Sequence, residues 1–500
     1  MYTKIILGPP GTGKTTSLLN MVDQFLSNGT PPNKIGFMSF TKKAVTEAKE
    51  RAAKRFNKNI RDFEYFRTIH SLAFWMLGLS SGEVVQKNNL VEIGDKIGIP
   101  IKGFQQMDRE IYEMQKGDQM VFLESLTRLL CSNYFDVYND FCPDFSWQEF
   151  KLYFEAYTDY KKHGLLYDFT DMLVRYLEEG LAPAFDVLFI DEVQDLCPLQ
   201  WRIVEKLAIN SKETYLAGDD DQAIFRWSGA DVDHFILTAK LNKTEVLSKS
   251  YRLPRQVHNL AEKLVERIEV RAEKKFSPKD TEGLVNYASS LEDIDLSSGE
   301  WLVLYRNGYL ERDIKEYIRS CGYFYETKWG SPVKEEALQA AFAWESLRKG
   351  RSISVDKLKM VVQHMKKGNT TLTSRSGIFR ADKNSVVTSG EAKMLGNFDY
   401  SLLWHKALDK IPAEDVEYYI AARKNGESLI GKPRIKLSTI HGAKGGEAEN
   451  VALLTDISAR TYRGMQENYD DELRVFYVGA TRAKNTLWIV QPSTNYYFTI

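Results

Sequence analysis

The run Ile5-Ile6-Leu7-Gly8-Pro9-Pro10-Gly11-Thr12-Gly13-Lys14-Thr15 constrains this chain more than any other stretch. Its three apolar residues read as a buried strand, the glycine-rich segment as a loop, and Thr16 to Phe25 as a helix. The pattern GxxxxGK[ST] in that setting curls backbone N–H groups around an anion. The glycines permit the curl, the helix start adds its positive end, and Lys14 supplies a cation. Thr15 offers a hydroxyl to Mg2+ held by the same phosphates. A plain glycine turn ahead of a helix is the alternative, and the agreement of strand, loop and helix disfavours it. Such a loop belongs at a strand end of a parallel sheet covered by helices on both faces.

A phosphate loop needs an acid for the metal and a group to orient water. Both are present in "DVLFIDEVQD" at 186–195, where a continuous apolar run ends at Asp191 and Glu192. Asp191 is expected to hold Mg2+ through water, and Glu192 to position or deprotonate the attacking water. A third apolar strand near Tyr215 to Ala217 runs into "GDDDQAIFRWSGA" at 218–230. There Gln222 follows three aspartates, and Phe225 and Trp227 flank Arg226. Aromatics interleaved with a guanidinium suit stacking on unpaired bases and neutralising phosphate. Their spacing at i and i+2 fits a helix core poorly.

At 500 residues, 43% apolar and 27% charged, the chain has material for two to four packed units. No stretch of eighteen uninterrupted apolar residues occurs, and Met1 to Gly8 has no basic leader, so a cytoplasmic protein with no membrane partner is expected. Cys131, Cys142, Cys197 and Cys321 are too far apart for a metal-ligand pattern and read as reduced structural thiols. A net charge of -1 excludes a uniformly basic coat and leaves local basic stripes, such as Lys42 to Arg55, open.

Together with these segments, "SFTKKAVTEAKER" at 39–51, "TIHSLAF" at 68–74, "YDFTDML" at 167–173, "SKSYRLP" at 248–254 and "VLYRN" at 303–307 complete a longer series. "STIHGAKGGEAENV" at 438–451 and "ELRVFYVGATRAKNTLWIV" at 472–490 close it. In content and order the series resembles superfamily 1 DNA helicases of the UvrD, Rep and PcrA group. The resemblance implies an α/β protein: two RecA-like P-loop motor domains, each a parallel sheet with helices on both faces, with two mainly helical insertions. The first motor domain takes residues 1–75 and 168–250, and the second 251–329 and 431–500. The insertions are 76–167 and 330–430.

The resemblance also implies roles. Gly8, Gly11, Thr12, Gly13, Lys14, Thr15 and Thr16 cradle ATP, Tyr251 stacks on its base, and Glu447 contacts the ribose. Thr15 and Asp191 take Mg2+. Gln222, Arg252 and Arg482 reach the γ-phosphate, where an arginine's permanent charge and forked donors suit phosphate oxygens. Phe40, Thr41, His70, Phe225, Trp227 and His441 line the nucleic-acid path. The implied activity is an ATP-dependent single-stranded DNA translocase and 3'-5' helicase acting at single-strand/duplex junctions. It would be a monomer, alongside replication, recombination or repair proteins, in a bacterial or phage-infected host cytoplasm. A translocase that displaces proteins without useful unwinding, and a nucleotide-switched DNA-binding subunit, are the competing readings.

The sequence departs from that family in several places. Seven residues precede Gly8, without the adenine-reading glutamine of relatives, which predicts base selection through Tyr251 stacking and a relaxed nucleotide choice. Ser228 stands where relatives commonly have arginine, and Gly446 and Ala448 replace a leucine and a phenylalanine. Residues Ile457 to Asp470 lack the usual apolar-proline turn, and the second insertion is short, which bears on duplex gripping.

Overall fold

The computed structural model describes residues 2–39, 42–103, 114–373, 375–380 and 382–500. It separates into two compact units. Unit 1 comprises Met1–Ser289, Leu304–Gly308 and Thr439–Ile500, and unit 2 comprises Ser290–Val303 and Tyr309–Ser438.

Unit 1 is built on a six-stranded sheet of β1 (Tyr2–Leu7), β2 (Ile35–Met38), β3 (Phe66–Arg67), β4 (Phe185–Asp191), β5 (Ser211–Gly218) and β6 (Lys243–Val246). The order is β3-β2-β4-β5-β1-β6, and every neighbouring pair runs parallel. Successive side chains of a strand point to opposite faces. Ile6, Phe37, Val187, Phe189 and Ala217 accordingly share a core with Leu18, Leu19 and Val22 of the helix Lys14–Ser27. Ile5, Leu7, Met38, Leu188, Ile190 and Leu216 share the other, with Leu72, Met172, Leu173, Ile203 and Leu207. Burial on both faces is why these strands read as continuous apolar runs.

Eight shorter or later strands follow: β7 (Leu284–Ala288), β8 (Trp301–Tyr305), β9 (Tyr325–Glu326), β10 (Ile353–Ser354), β11 (Val386–Val387), β12 (Ile435–Thr439), β13 (Ala448–Leu454) and β14 (Ala483–Val490). Within unit 1, β14 pairs in parallel with β13 and β7. Within unit 2, β12 pairs in parallel with β9, and β10 and β11 form a small antiparallel ladder. The expected class, two parallel-sheet α/β domains with helices, is the architecture observed.

Between β3 and β4, the helices Lys87–Ile97, Lys116–Leu129, Tyr134–Phe141 and Trp147–Gly164 close a separate core around Met120, Leu123, Phe150 and Tyr153. A buried ionic cluster ties them to the helix Phe169–Glu179. Arg128 reaches Glu124, Asp168 and Asp171 at 2.7, 2.6 and 2.7 Å, and Lys161 reaches Asp168 and Asp171 at 2.7 and 2.8 Å. Asp168 and Asp171 cap that helix reciprocally, which explains why "YDFTDML" needs both acids. Unit 2 packs the helices Glu335–Arg348 and Val355–Gln363 around Trp344, whose Nε1 donates to the Leu402 carbonyl at 2.9 Å.

Candidate functional site

The phosphate loop leaves the C-terminal end of β1, with the Gly8 N–H donating to the Gly218 carbonyl at 2.9 Å. Gly11 and Gly13 have φ of 72° and 76°, the left-handed region that glycine enters without penalty. A Cβ at Gly11 would lie 2.3 Å from the Arg252 Cβ, so the loop also needs glycine for closeness. The Thr12 hydroxyl donates to the Pro9 carbonyl at 2.8 Å and closes the turn.

β4 delivers the two acids to this loop. The Thr15 hydroxyl donates to Asp191 at 2.6 Å, and Lys14 Nζ lies 3.3 Å from both carboxylate oxygens of Glu192. Mg2+ takes one or two carboxylates and otherwise keeps water and substrate phosphates. A hydroxyl and a carboxylate side by side at a phosphate loop fit that pattern, so Thr15 and Asp191 would hold the ion. Glu192 has φ 58°, a strained left-handed conformation for a residue with a Cβ, at the point where the chain turns out of the strand. Gln194 fixes it, donating from Nε2 at 2.5 Å. Burial, then the neighbouring Glu192 charge, pushes the Asp191 carboxyl up. For Glu192, burial acts in the same direction, but the Lys14 and Lys444 charges outweigh it and hold the carboxyl below its usual range.

The remaining nucleotide-site candidates converge from distant parts of unit 1. Tyr251 donates its N–H to the Gly11 carbonyl at 2.8 Å and leaves its ring 73% exposed, free to stack on a base. Arg252 pairs with Glu447 at 2.6 Å, and Glu447 with Lys484 at 2.8 Å, so the expected ribose contact is here engaged by cations. Arg482 donates to Gln222 Oε1 at 3.0 Å and to the Val478 carbonyl at 2.9 Å. Its further bonds go to the Gly446 carbonyl at 3.4 Å and the Thr481 hydroxyl at 3.2 Å. All four acceptors are neutral oxygens. Burial, with Arg252 adding repulsion, accordingly lowers the guanidinium pKa to about 9. A buried cation held by neutral groups is poised for an anion.

Of the nucleic-acid candidates, Phe225, Trp227 and His441 come together. The His441 ring lies 6.1 Å from Phe225 and 6.2 Å from Trp227, centroid to centroid. Its Nε2 is buried without a hydrogen-bond partner among the described residues, and burial holds the ring neutral, well below its ordinary pKa. Trp227 and His441 border a cavity of about 790 Å³ lined also by Arg306, Arg460 and Arg463 and by the acids Asp140, Glu467, Asp471 and Glu472. His70 packs edge-on against Phe169 at 6.0 Å, its pKa lowered by burial to about 4, and no contact among the described residues joins it to the Phe225 group. Phe40 and Thr41 lie outside the described residues.

The sequence reading missed several participants. Lys444 binds both oxygens of Asp195 at 2.6 and 2.7 Å, donates to the Gln222 carbonyl at 2.7 Å and sits 4.9 Å over the Phe225 ring. Its only sequence signal was membership of the "HGAKGG" segment. Arg226, read as facing phosphate, instead meets Asp233 at 3.1 Å and Asp471 at 3.5 Å. The stretch lacking the apolar-proline turn forms the helix Ala459–Glu467, capped by Ser458, which accepts from the Thr461 N–H at 3.0 Å.

A phosphate loop on a parallel sheet, a strand-end acid pair and a second parallel sheet define a P-loop nucleotide-binding protein of the two-motor class. The UvrD/REP helicase N-terminal domain model matches residues 2–243, and the UvrD-like helicase C-terminal domain model matches residues 416–494. The chain belongs to the UvrD/Rep helicase family, as the resemblance of its motifs implied. It is 23% identical over 330 residues to ATP-dependent DNA helicase Rep of Buchnera aphidicola subsp. Baizongia pistaciae, covering 61% of this chain and 47% of that protein. Against ATP-dependent DNA helicase PcrA of Bacillus subtilis it is 23% identical over 356 residues, covering 67% and 47%. Against the putative ATP-dependent DNA helicase YjcD of Bacillus subtilis it is 24% identical over 596 residues, covering 98% and 77%. The chain thus spans about half the length of the Rep and PcrA relatives, at 47% of each.

Proposed function

We propose that this protein is an ATP-dependent motor on single-stranded DNA, a translocase that separates duplex in the 3' to 5' direction. The observation that carries the reading is the contact of Arg482 with Gln222 across 260 positions of sequence, beside a phosphate loop already joined to Asp191 and Glu192. A C-terminal arginine is thereby held at the phosphate-sensing face of the first sheet.

In this reading Lys14, Arg252 and Arg482 grip the terminal phosphate, and Gln222 and Glu192 orient the attacking water. Bound between Thr15 and Asp191, Mg2+ would neutralise phosphate charge. Phosphoryl transfer through a loose transition state asks for orientation more than strong basicity. A Glu192 carboxylate kept ionised by two lysines meets that demand. Tyr251 offers an exposed ring for stacking, and stacking distinguishes bases poorly because every base has a π face. The cavity beside Trp227 and the neutral His441 suits an unpaired base, read by shape and stacking. No helix among the described residues is long and apolar enough to cross a membrane. The proposed partners are single-stranded DNA and its junctions with duplex.

The test is phosphate release with and without single-stranded DNA, for wild type and Glu192→Gln, with each of the four nucleoside triphosphates. DNA stimulation abolished by the substitution is expected, with comparable turnover of several triphosphates; strand displacement from 3'-tailed but not 5'-tailed duplexes tests direction. No stimulation would overturn the motor reading in favour of a nucleotide-switched binding subunit. Stimulation without displacement would favour a translocase that clears proteins.

A further inference from the structure

Three adjacent aspartates, Asp219, Asp220 and Asp221, are sealed from solvent at 0%, 0% and 1% exposure. Burying an unpaired carboxylate costs several kcal/mol, so such a turn forms only around matching cations. Lys274 is the central one. Its Nζ lies 3.1 Å from Asp219 and 3.0 Å from Asp221 and bonds Asp220, and its own side chain is 1% exposed. Arg271 grips Asp221 through two bonds of 2.9 and 2.6 Å. The Ala272 N–H donates to Asp220 Oδ2 at 2.7 Å, and Arg474 Nε donates to the Asp220 carbonyl at 3.0 Å. Two cations, Lys274 and Arg271, therefore serve three carboxylates from the short strap Arg271 to Lys274, while Arg474 braces the turn through its backbone.

Asp219 links this cluster to the nucleotide site. Its Oδ2 accepts from Gln222 Nε2 at 2.7 Å, and its N–H donates to Gln194 Oε1 at 3.0 Å. Gln194 in turn fixes Glu192 at 2.5 Å. An ionised carboxylate only accepts hydrogen bonds. Asp219 therefore dictates which end of the Gln222 amide it receives, leaving Oε1 to meet Arg482 at 3.0 Å.

We propose that Lys274 is a positioning residue for nucleotide hydrolysis: paired with all three buried aspartates, it fixes the turn whose Asp219 carboxylate holds the Gln222 amide and whose Asp219 N–H holds Gln194, and so keeps Gln222 and, through Gln194, Glu192 in their working orientations. The proposal rests on the hydrolytic reading above. Lys274 is sealed from solvent with its Nζ committed to the three aspartates, so its effect belongs to kcat rather than to binding.

The experiment measures kcat and KM for ATP in DNA-stimulated phosphate release, with thermal melting, for wild type, Lys274→Met, Asp219→Asn and the double variant Lys274→Met/Asp220→Asn. Lys274→Met is expected to lower kcat at least about tenfold with KM within about threefold. The double variant, which restores charge balance, is expected to recover to within about threefold of wild type. Asp219→Asn keeps the cations, tests the amide orientation directly, and is expected to lose at least about tenfold in kcat at unchanged KM. If Lys274→Met does not fold, the double variant and Asp219→Asn decide the matter. A folded Lys274→Met or Asp219→Asn at wild-type kcat overturns the proposal, as does a folded double variant no better than Lys274→Met. Wild type without DNA-stimulated turnover would instead defeat the hydrolytic reading itself, a result distinct from any of these.

Discussion

Replacing Arg482 with methionine separates catalysis from stability in a way that few substitutions do. The lowering of its pKa from 12.5 to about 9 corresponds to about 5 kcal/mol held against the charged form, at 1.36 kcal/mol per unit. A methionine of similar reach removes that burden. It also strips hydrogen bonds from the Gly446 carbonyl and from Gln222 Oε1, at about 1–3 kcal/mol for each buried acceptor left unpaired, while the Val478 carbonyl keeps the Thr481 hydroxyl at 3.1 Å. The opposing contributions are of similar size, so the unfolding free energy is expected to change by less than about 3 kcal/mol. Turnover has no such compensation. An arginine that neutralises charge developing on a transferred phosphoryl group is worth about 10³–10⁵ in rate, equivalent to about 4–7 kcal/mol. Arg482→Met is therefore expected to melt near wild type and to lose at least about a thousandfold in DNA-stimulated kcat. Melting is read by circular dichroism and turnover by phosphate release. A folded variant retaining more than about a tenth of wild-type kcat would refute the assignment of Arg482 to the phosphate.

Trp227→Ala is expected to weaken single-stranded DNA binding by about 1–3 kcal/mol, with the salt dependence unchanged because a ring carries no charge. Fluorescence anisotropy across a KCl series checks this, and unaltered affinity would count against the cavity as a base site. Gly11→Ala would set a Cβ 2.3 Å from the Arg252 Cβ at φ +72°, and nucleotide affinity, measured with a fluorescent ATP analogue, is expected to drop at least about tenfold. Arg128→Ala leaves Glu124 without its cation and Asp168 and Asp171 with Lys161 alone, and is expected to cost about 3–5 kcal/mol in a urea melt. The same cluster sets a pH dependence. Burial raises the Asp168 carboxyl, but Arg128 and Lys161 outweigh it and hold the group well below its ordinary 3.8. A depressed native pKa stabilises above the unfolded value and is lost as pH falls beneath it. Wild-type stability should therefore decline on acidification below 3.8, and Arg128→Ala should show a shallower decline over that range.

What the sequence made legible follows from how strongly each feature is patterned. β1, β4 and β5 are buried on both faces, so each is an unbroken apolar run, and the loop or acid at its end is located by the strand itself. Thr15 and Asp191, 176 positions apart, could be paired in advance because both sit at ends of parallel strands. Lys274 and Lys444 carry no such signal. Each is one lysine in an aperiodic segment, and its meaning arises only when folding sets it against carboxylates far away in sequence. The helix Ala459–Glu467 was hidden for a related reason: only Thr461 and Met465 turn inward, too sparse a stripe to announce a helix.

The segment Phe225 to Gly229 marks the boundary between what spacing can and cannot convey. Aromatics at i and i+2 argued against a helix core, and the chain indeed forms a single 3-10 turn, Arg226–Ser228, ended by Gly229 at φ 97°. Spacing could not tell which way the intervening arginine would point. That depended on Asp233 and Asp471, which draw the guanidinium into ion pairs. Ser228, in the place relatives commonly give to arginine, spends its hydroxyl on the Phe225 carbonyl at 2.9 Å and so satisfies the turn's own backbone. This turn therefore contributes rings and shape to the cavity, with Trp227 stacked at 6.0 Å on Phe122 of the helix Lys116–Leu129. Other arginines at the cavity wall, Arg306, Arg460 and Arg463, lie outside this motif, and Arg306 is itself gripped by Glu472 at 2.7 Å. A motif carries over its residue types, but the neighbours those residues meet decide which of them remain available to a ligand.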